Sequence, residues 1–173
     1  VPYVDLNTIH NPATGTVAPA AWGDQVRDDL EFLVDPPACS VFASSDTVVA
    51  TATDVLLPAP SENFDNDAMH STVTNTGRIT IQTAGRYLFF ARIAFQASTA
   101  GTYRAIRYKL NGGSVVELIN AAPVADASVS TILPISWTLV LTATDFVEIW
   151  VRQNTGGNLN SRILEFAATY LTR

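Results

Sequence analysis

Cysteine is nearly absent, with Cys39 the one example among 173 residues. No intrachain disulfide can form, so stability must come from burial and association, and the thiol is expected to be buried. Histidine is almost as scarce. Neither His10 nor His70 has a second histidine at helical spacing or a cysteine cluster beside it, which removes the usual zinc frameworks and any activated nucleophile. No stretch resembles the strained turn that presents a hydrolase serine. The chain is therefore read as a non-enzyme, with no catalytic, cofactor-binding or metal-binding residues. Charge is sparse too: 15% of residues are charged against 47% hydrophobic, a balance suited to a surface that is partly covered in the working assembly. The net charge of -6 argues against nucleic acid or a membrane as partner. Apolar runs never approach the roughly 20 residues of a membrane span, and Val1 to Asp5 has no basic region leading into an apolar one. The expectation is a soluble chain without an export signal.

What is present is a pattern of period two. In Gly85 to Gln96 the residues Tyr87, Phe89, Ala91, Ile93 and Phe95 share one face of an extended strand, and that face is a core face. The other face carries Arg86, Leu88, Phe90, Arg92, Ala94 and Gln96, a mixture that suits an interface better than a wet surface. Two later segments repeat the pattern. In Phe146 to Gln153, Val147, Ile149 and Val151 oppose Phe146, Glu148, Trp150 and Arg152; in the last strand Leu164, Phe166, Ala168 and Tyr170 oppose Ile163, Glu165, Ala167, Thr169 and Leu171. Three such strands suggest one sheet whose outer side is buried by copies of the chain, with Leu88, Phe90, Phe146, Trp150, Ile163 and Leu171 as interface candidates.

The length fits one domain with an appendage. Residues 1–37 form the appendage, an arm punctuated by Pro2, Pro12, Pro19, Pro36 and Pro37. After Pro19, the positions Trp22, Val26, Leu30 and Leu33 recur at helical spacing, and the final proline pair stops the helix. A helix of about four turns is marginal alone, so this stripe must dock on something. Thr14 to Ala18, Trp22, Arg27-Asp28-Asp29-Leu30 and Pro36-Pro37 together resemble the N-terminal attachment segment of tailed-bacteriophage structural proteins, in which a short helix leads through a Pro-Pro linker into a β-rich domain.

From Cys39 onward, short alternating runs separated by turns read as an all-β sandwich. The expected strands are Val41 to Ala43, Thr47 to Leu57, Arg78 to Gln82, the 86–96 strand, Tyr103 to Leu110, Ser114 to Ile119, Val129 to Leu141, Phe146 to Gln153 and the last one. Pro58 to Gly77 is expected as a surface connection with at most one short strand, and Asn111-Gly112-Gly113 as a hairpin turn. Pro134 places its strand at an edge or bulge. His70-Ser-Thr-Val-Thr-Asn75, Gly77 to Ile81, Ala84-Gly85-Arg-Tyr-Leu-Phe-Phe90, Arg107 to Gly113 and Thr144 to Gln153 resemble the complement-globular-head and tumour-necrosis-factor jelly roll in its phage form. Thr144 stands where that family's Gly-Asp pair has glycine. The resemblance, over residues 39–173, implies a compact homotrimer whose inner sheet contains the three two-faced strands.

The fold expected is thus an all-β antiparallel jelly-roll sandwich, residues 38–173, with an N-terminal extended arm and short α-helix, homotrimeric. Glu62, Asp65 and Asp67 have the alternating carboxylates of a calcium site but lack its glycine and terminal glutamate, so they read as a solvated loop. The Gly-rich turns at 111–113 and 154–158 read as ordinary connections rather than anion cradles. Taken with both resemblances, the expected function is that of a virion structural protein, a capsid decoration protein or short head fibre assembled in the host cytoplasm. Its arm would bind the major capsid protein or another virion protein through Trp22, Val26, Leu30 and Leu33. The alternative is a tail-associated receptor-binding protein that displays loops 98–102, 111–114 and 154–160 to a host surface glycan.

Overall fold

The computed structural model describes residues 20–121 and 127–172. Contacts divide the chain into two units, Val1–Pro37 and Ala38–Arg173.

In the first unit, α1 spans Ala20–Val34. Pro36 and Pro37 end it, since neither can donate to the helix ladder, and Asp35 N–H closes the last turn on Glu31 O at 2.8 Å. Arg27 bridges Asp24 at 3.0 Å and Asp28 at 2.9 Å and reaches Glu31 at 3.8 Å. Of the expected stripe, Val26 is half-buried and Leu30 and Leu33 are exposed. The side chain of Trp22 and residues 1–19 lie outside the described residues.

The second unit is a sandwich of β1 (Ala38–Phe42), β2 (Thr47–Val49), β3 (Val55–Leu56), β4 (Ser61–Asp65), β5 (Arg78–Thr80), β6 (Gly85–Phe95), β7 (Arg104–Leu110), β8 (Val116–Ala121), β9 (Thr131–Leu141), β10 (Phe146–Gln153) and β11 (Leu159–Thr172). A six-stranded sheet runs β4-β1-β11-β6-β9 with β2 also on β11; a five-stranded sheet runs β3-β10-β7-β8 with β5 also on β10. From β6 onward the chain alternates between the sheets, β7-β8 and β10 lying opposite β6, β9 and β11. This is jelly-roll winding, and every pairing in it is antiparallel.

The core sits between the sheets where the alternation placed it. Tyr87, Phe89, Ala91, Ile93 and Phe95 from β6 meet Val147, Ile149 and Val151 from β10, all fully buried. Aromatic rings bind the layers: Phe89 stacks on Trp137 at 5.4 Å, Trp137 on Tyr108 of the opposite sheet at 5.4 Å, and Tyr87 meets Tyr170 edge-on at 5.5 Å. Gly85 lets this last pair form, because a Cβ there would lie 2.3 Å from the Tyr170 ring. Cys39 is fully buried, and that burial, with the Asp65 and Glu62 charges adding to it, pushes its thiol up to about 12.

Several expectations are corrected. Thr47 to Leu57 is not one strand: the backbone turns at Ala52, whose φ is 55°, and β2 and β3 join different sheets. β10 pairs with β7, β5 and β3, so the three two-faced strands do not share one sheet. Ile163 faces inward and is fully buried, because Leu164 is an extra residue in a bulge between the pairs Ile163↔Ile93 and Glu165↔Arg92. One inserted residue flips the parity of everything before it. Pro134 does lie on an edge strand, β9. Thr144 adopts φ 78°, so the turn of the Gly-Asp pair is kept in the left-handed conformation that glycine tolerates and threonine resists. Asp145 holds it, accepting from Thr142 N at 2.7 Å and Asn111 Nδ2 at 2.7 Å. Those bonds keep its carboxyl below the usual range.

Candidate functional site

Two outer faces and two loop-bearing ends are available for recognition. On the outer side of the six-stranded sheet, Phe64, Ser40, Ala167, Phe90 and Ser136 form one cross-strand row, with Ala38, Thr169, Leu88 and Thr138 beside it. Phe64 is 53% exposed, Leu88 39%, Leu171 48% and Val140 74%; Phe90 is half-buried. Arg86, Arg92 and Arg162 stand around these residues. Among the described residues, Arg162 approaches Asp46 at 3.7 Å. The face carries apolar side chains across several strands, interspersed with the hydroxyls of Ser136, Thr138 and Thr169 and flanked by the cross-strand pair Arg92 and Glu165. Of the expected interface residues, Leu88, Phe90 and Leu171 lie here. Phe64 and Val140 were missed: Val140 was legible as the outward partner of Leu139 and Leu141, whereas Phe64 was hidden in a polar segment.

The outer face of the five-stranded sheet has a different character. Phe146 and Trp150 lie there, and each ring is covered by a cation of its own protomer: Arg78 over Phe146 at 4.0 Å and Lys109 over Trp150 at 3.7 Å. Glu148, nearly buried, accepts from Arg78 Nη2 at 2.9 Å and from Trp150 Nε1 at 3.3 Å. Further along, Asp54 accepts from Arg107 at 2.7 Å and Arg152 donates to Tyr103 at 3.1 Å. Phe146 and Trp150 therefore do not belong to the surface formed by Leu88 and Phe90, and their apolar area is already engaged.

The ends also divide the expected display loops. The turn at 111–113 lies beside 142–145, at the end where β1 begins and β11 finishes. Loops 98–103 and 154–157 lie together at the opposite end. There Asn154 Oδ1 accepts from Thr102 N at 2.8 Å and Tyr103 N at 3.0 Å. Gln153, fully buried, donates to Val49 O and Gly157 O. Arg104, also fully buried, donates to the carbonyls of Tyr103 at 2.9 Å, Ala100 at 2.9 Å and Ser98 at 3.3 Å. No carboxylate pairs with it among the described residues, and burial lowers its pKa. Arg104 was missed as a loop brace, although it has the same strand parity as Ile106, Tyr108 and Leu110.

The acidic segment is structural. The Asp65 carboxylate accepts from Met69 N at 3.0 Å and His70 N at 2.8 Å, and Glu62 meets His70 Nδ1 at 2.8 Å. His70 also reaches Thr76 O at 3.1 Å, so its ring fastens the loop. Among the described residues no group of three or more His, Cys, Asp or Glu could hold a metal ion, and no helix is long and apolar enough to cross a membrane.

No family model matches the chain, and no curated protein does. Solved structures do. The globular domain of zebrafish complement 1qA superposes with a TM-score of 0.55 at 18% identity, covering 79% of this chain and 98% of that one. The vertex protein P5 of phage PRD1 matches at 0.55 and 14% identity, covering 78% and 73%. The TNF Eiger of S. frugiperda matches at 0.51 and 16% identity, covering 79% and 92%. At these identities the likeness concerns architecture, and the chain carries a jelly roll of the complement-globular-head and tumour-necrosis-factor type.

Proposed function

We propose that this chain is a bacteriophage virion structural protein, a homotrimeric capsid decoration protein or short head fibre, assembled in the host cytoplasm and held on the particle by residues 1–37. The observation that carries the reading is the outer face of the six-stranded sheet, where Phe64, Leu88, Val140 and Leu171 are exposed and Phe90 is half-buried. Burying each such side chain is worth about 1.5–3 kcal/mol, so copies of the chain gain by closing these faces against one another. The likeness to complement and TNF heads supports a trimer, and the likeness to a phage vertex protein supports a place on a virion. Trimerisation gathers three arms, and three weak attachments to the major capsid protein, or another virion protein, then act together through high effective concentration. Sedimentation equilibrium of the intact chain is expected to return a trimer, and Leu30→Asp/Leu33→Asp is expected to stay trimeric while losing affinity for shells assembled without this protein. A monomer at micromolar concentration, or undiminished shell binding by that variant, overturns the reading.

The bracing of the far-end loops by Arg104, Gln153 and Asn154 favours a second reading, a trimeric receptor-binding protein. Buried polar side chains are costly unless satisfied, and here they fix loops 98–103 and 154–157 at the end opposite Ala38. A glycan array and cell adsorption separate the two. A trimer that adsorbs to host cells and leaves shells bare is an adhesin.

A further inference from the structure

The outer face of the six-stranded sheet carries charge as well as apolar side chains. One cross-strand row sets Glu165 of β11, Arg92 of β6 and Pro134 of β9 side by side. It adjoins the row of Ala167, Phe90 and Ser136, two residues along each strand and so about 7 Å away. Glu165 is half-buried and Arg92 exposed. Among the described residues neither side chain has an ion partner or a hydrogen bond. The other cations of this face stand elsewhere. Arg162 approaches Asp46 at 3.7 Å, and Arg86 lies opposite Val140, about 20 Å from Arg92 along β6. Covering Phe90 therefore also covers Glu165 and Arg92, and a charge enclosed without a partner is costly.

A row with one anion and one cation is its own complement. For copies related by rotation about an axis running along the strands, each row keeps its height, and the β11 side of one sheet meets the β9 side of the next. Glu165 then arrives level with Arg92 of the partner subunit, whereas Arg86 is too far along the strand to reach it. A polyanion on this face would set its charge against Glu165. We propose that Glu165 accepts from Arg92 of the partner subunit around the assembly, and that this contact fixes the register of the subunits while the apolar rows supply the affinity. The proposal rests on the homotrimer given above and names a polar contact that closes it.

Sedimentation and circular dichroism of the intact chain test it. Glu165→Arg and Arg92→Glu, each alone, set like charges together at every contact. Each is expected to fold and to raise the concentration of half-dissociation about tenfold or more. Arg92→Glu/Glu165→Arg is expected to restore the parent value. The two single variants, co-expressed with different tags, are expected to be recovered together in trimers, because mixed contacts join opposite charges. Recovery in the double variant without such mixing places the pair within one protomer and overturns the proposal. Arg86→Glu is expected to leave assembly unchanged; a loss equal to that of Arg92→Glu makes the effect one of general charge and overturns the pairing. The milder Glu165→Gln and Arg92→Gln are expected to weaken assembly by no more together than either does alone, and strictly additive effects count against the pair. If the parent is a trimer and both reversals match it, the pair is wrong and the trimer stands. A parent that sediments as a monomer defeats the trimer reading itself.

Discussion

Replacing Gly85 by alanine tests whether the start of β6 is glycine because of packing or merely because of the turn before it. The added Cβ would fall 2.3 Å from Tyr170 Cε2 and 2.9 Å from the carbonyl oxygen of Thr172. Carbon atoms in contact sit about 3.5–4.0 Å apart, so the ring edge must retreat by about 1.2 Å or more. It has little room. Tyr170 stands edge-on to Tyr87 at an interplanar angle of 88°, and Tyr87 is itself fixed by a 2.6 Å bond from its hydroxyl to Thr83 O. Overpacking of this kind costs about 1–3 kcal/mol, and disturbing the edge-on pair adds about 0.5–1.5 kcal/mol. Against this, alanine restricts the unfolded chain and returns about 0.4–1 kcal/mol. The net expectation is a loss of about 1–3 kcal/mol.

The assay is urea unfolding at a fixed protomer concentration, because association makes stability concentration-dependent. Tyr170→Leu removes the colliding ring edge. In Gly85→Ala/Tyr170→Leu the two losses should therefore sum to less than their separate values by about 1 kcal/mol or more. A Gly85→Ala protein within about 0.5 kcal/mol of the parent, or strictly additive losses in the double variant, refutes the close-approach argument.

Three further outcomes are expected. Cys39 should resist a thiol reagent at pH 8 in the folded protein and react once urea is added. Because its folded pKa of about 12 lies above the free value near 8.5, its contribution to stability is complete below about 8.5 and lost as pH rises toward about 12; rapid labelling of the native chain at pH 8 would contradict the burial. Thr144→Gly should raise stability by about 1 kcal/mol by relieving a β-branched residue at positive φ, measured as a higher urea midpoint, and an unchanged or lower midpoint would mean that the turn is unstrained. Ile163→Ala should cost about 2–5 kcal/mol as a core cavity without changing oligomeric state at low temperature, whereas Phe90→Glu should yield a folded monomer. The reverse pattern by sedimentation and circular dichroism would place the assembly surface elsewhere.

Most of the sandwich was legible because alternation is a direct record of which side of a strand meets water. β6 and β10 were read with their inner faces, and the hairpin turn at Asn111 and Gly112 was read too, where φ of 53° and 67° suits the Asn-Gly pair. What could not be read was whatever depends on a neighbour. Nothing in Ser161 to Glu165 announces that Leu164 is an inserted residue; only the register against β6 creates the bulge, so Ile163 was placed on the wrong side. Nor does Val48 to Val55 announce that the chain leaves one sheet and enters the other, since Ala52 is an unremarkable residue in an uncommon conformation.

The hardest distinction was between two outward faces with the same composition. Phe146, Glu148, Trp150 and Arg152 on β10 read much as Arg86, Leu88, Phe90 and Arg92 on β6, yet their surroundings differ. Beside β10, the strands β5 and β7 supply Arg78 and Lys109 at the spacing that covers each ring, and Glu148 receives both a guanidinium and the indole N–H. A partner that buried this face would have to break these contacts or desolvate them intact, and half-matched buried charge is costly. Beside β6, the strands β9 and β11 supply Ser136, Thr138, Ala167 and Thr169, small side chains that leave Leu88 exposed and Phe90 half-covered. Closing that face against another copy removes apolar area and disturbs no ring-capping cation. Association should therefore proceed through the six-stranded sheet, and the five-stranded sheet should remain the wetted exterior of the assembly.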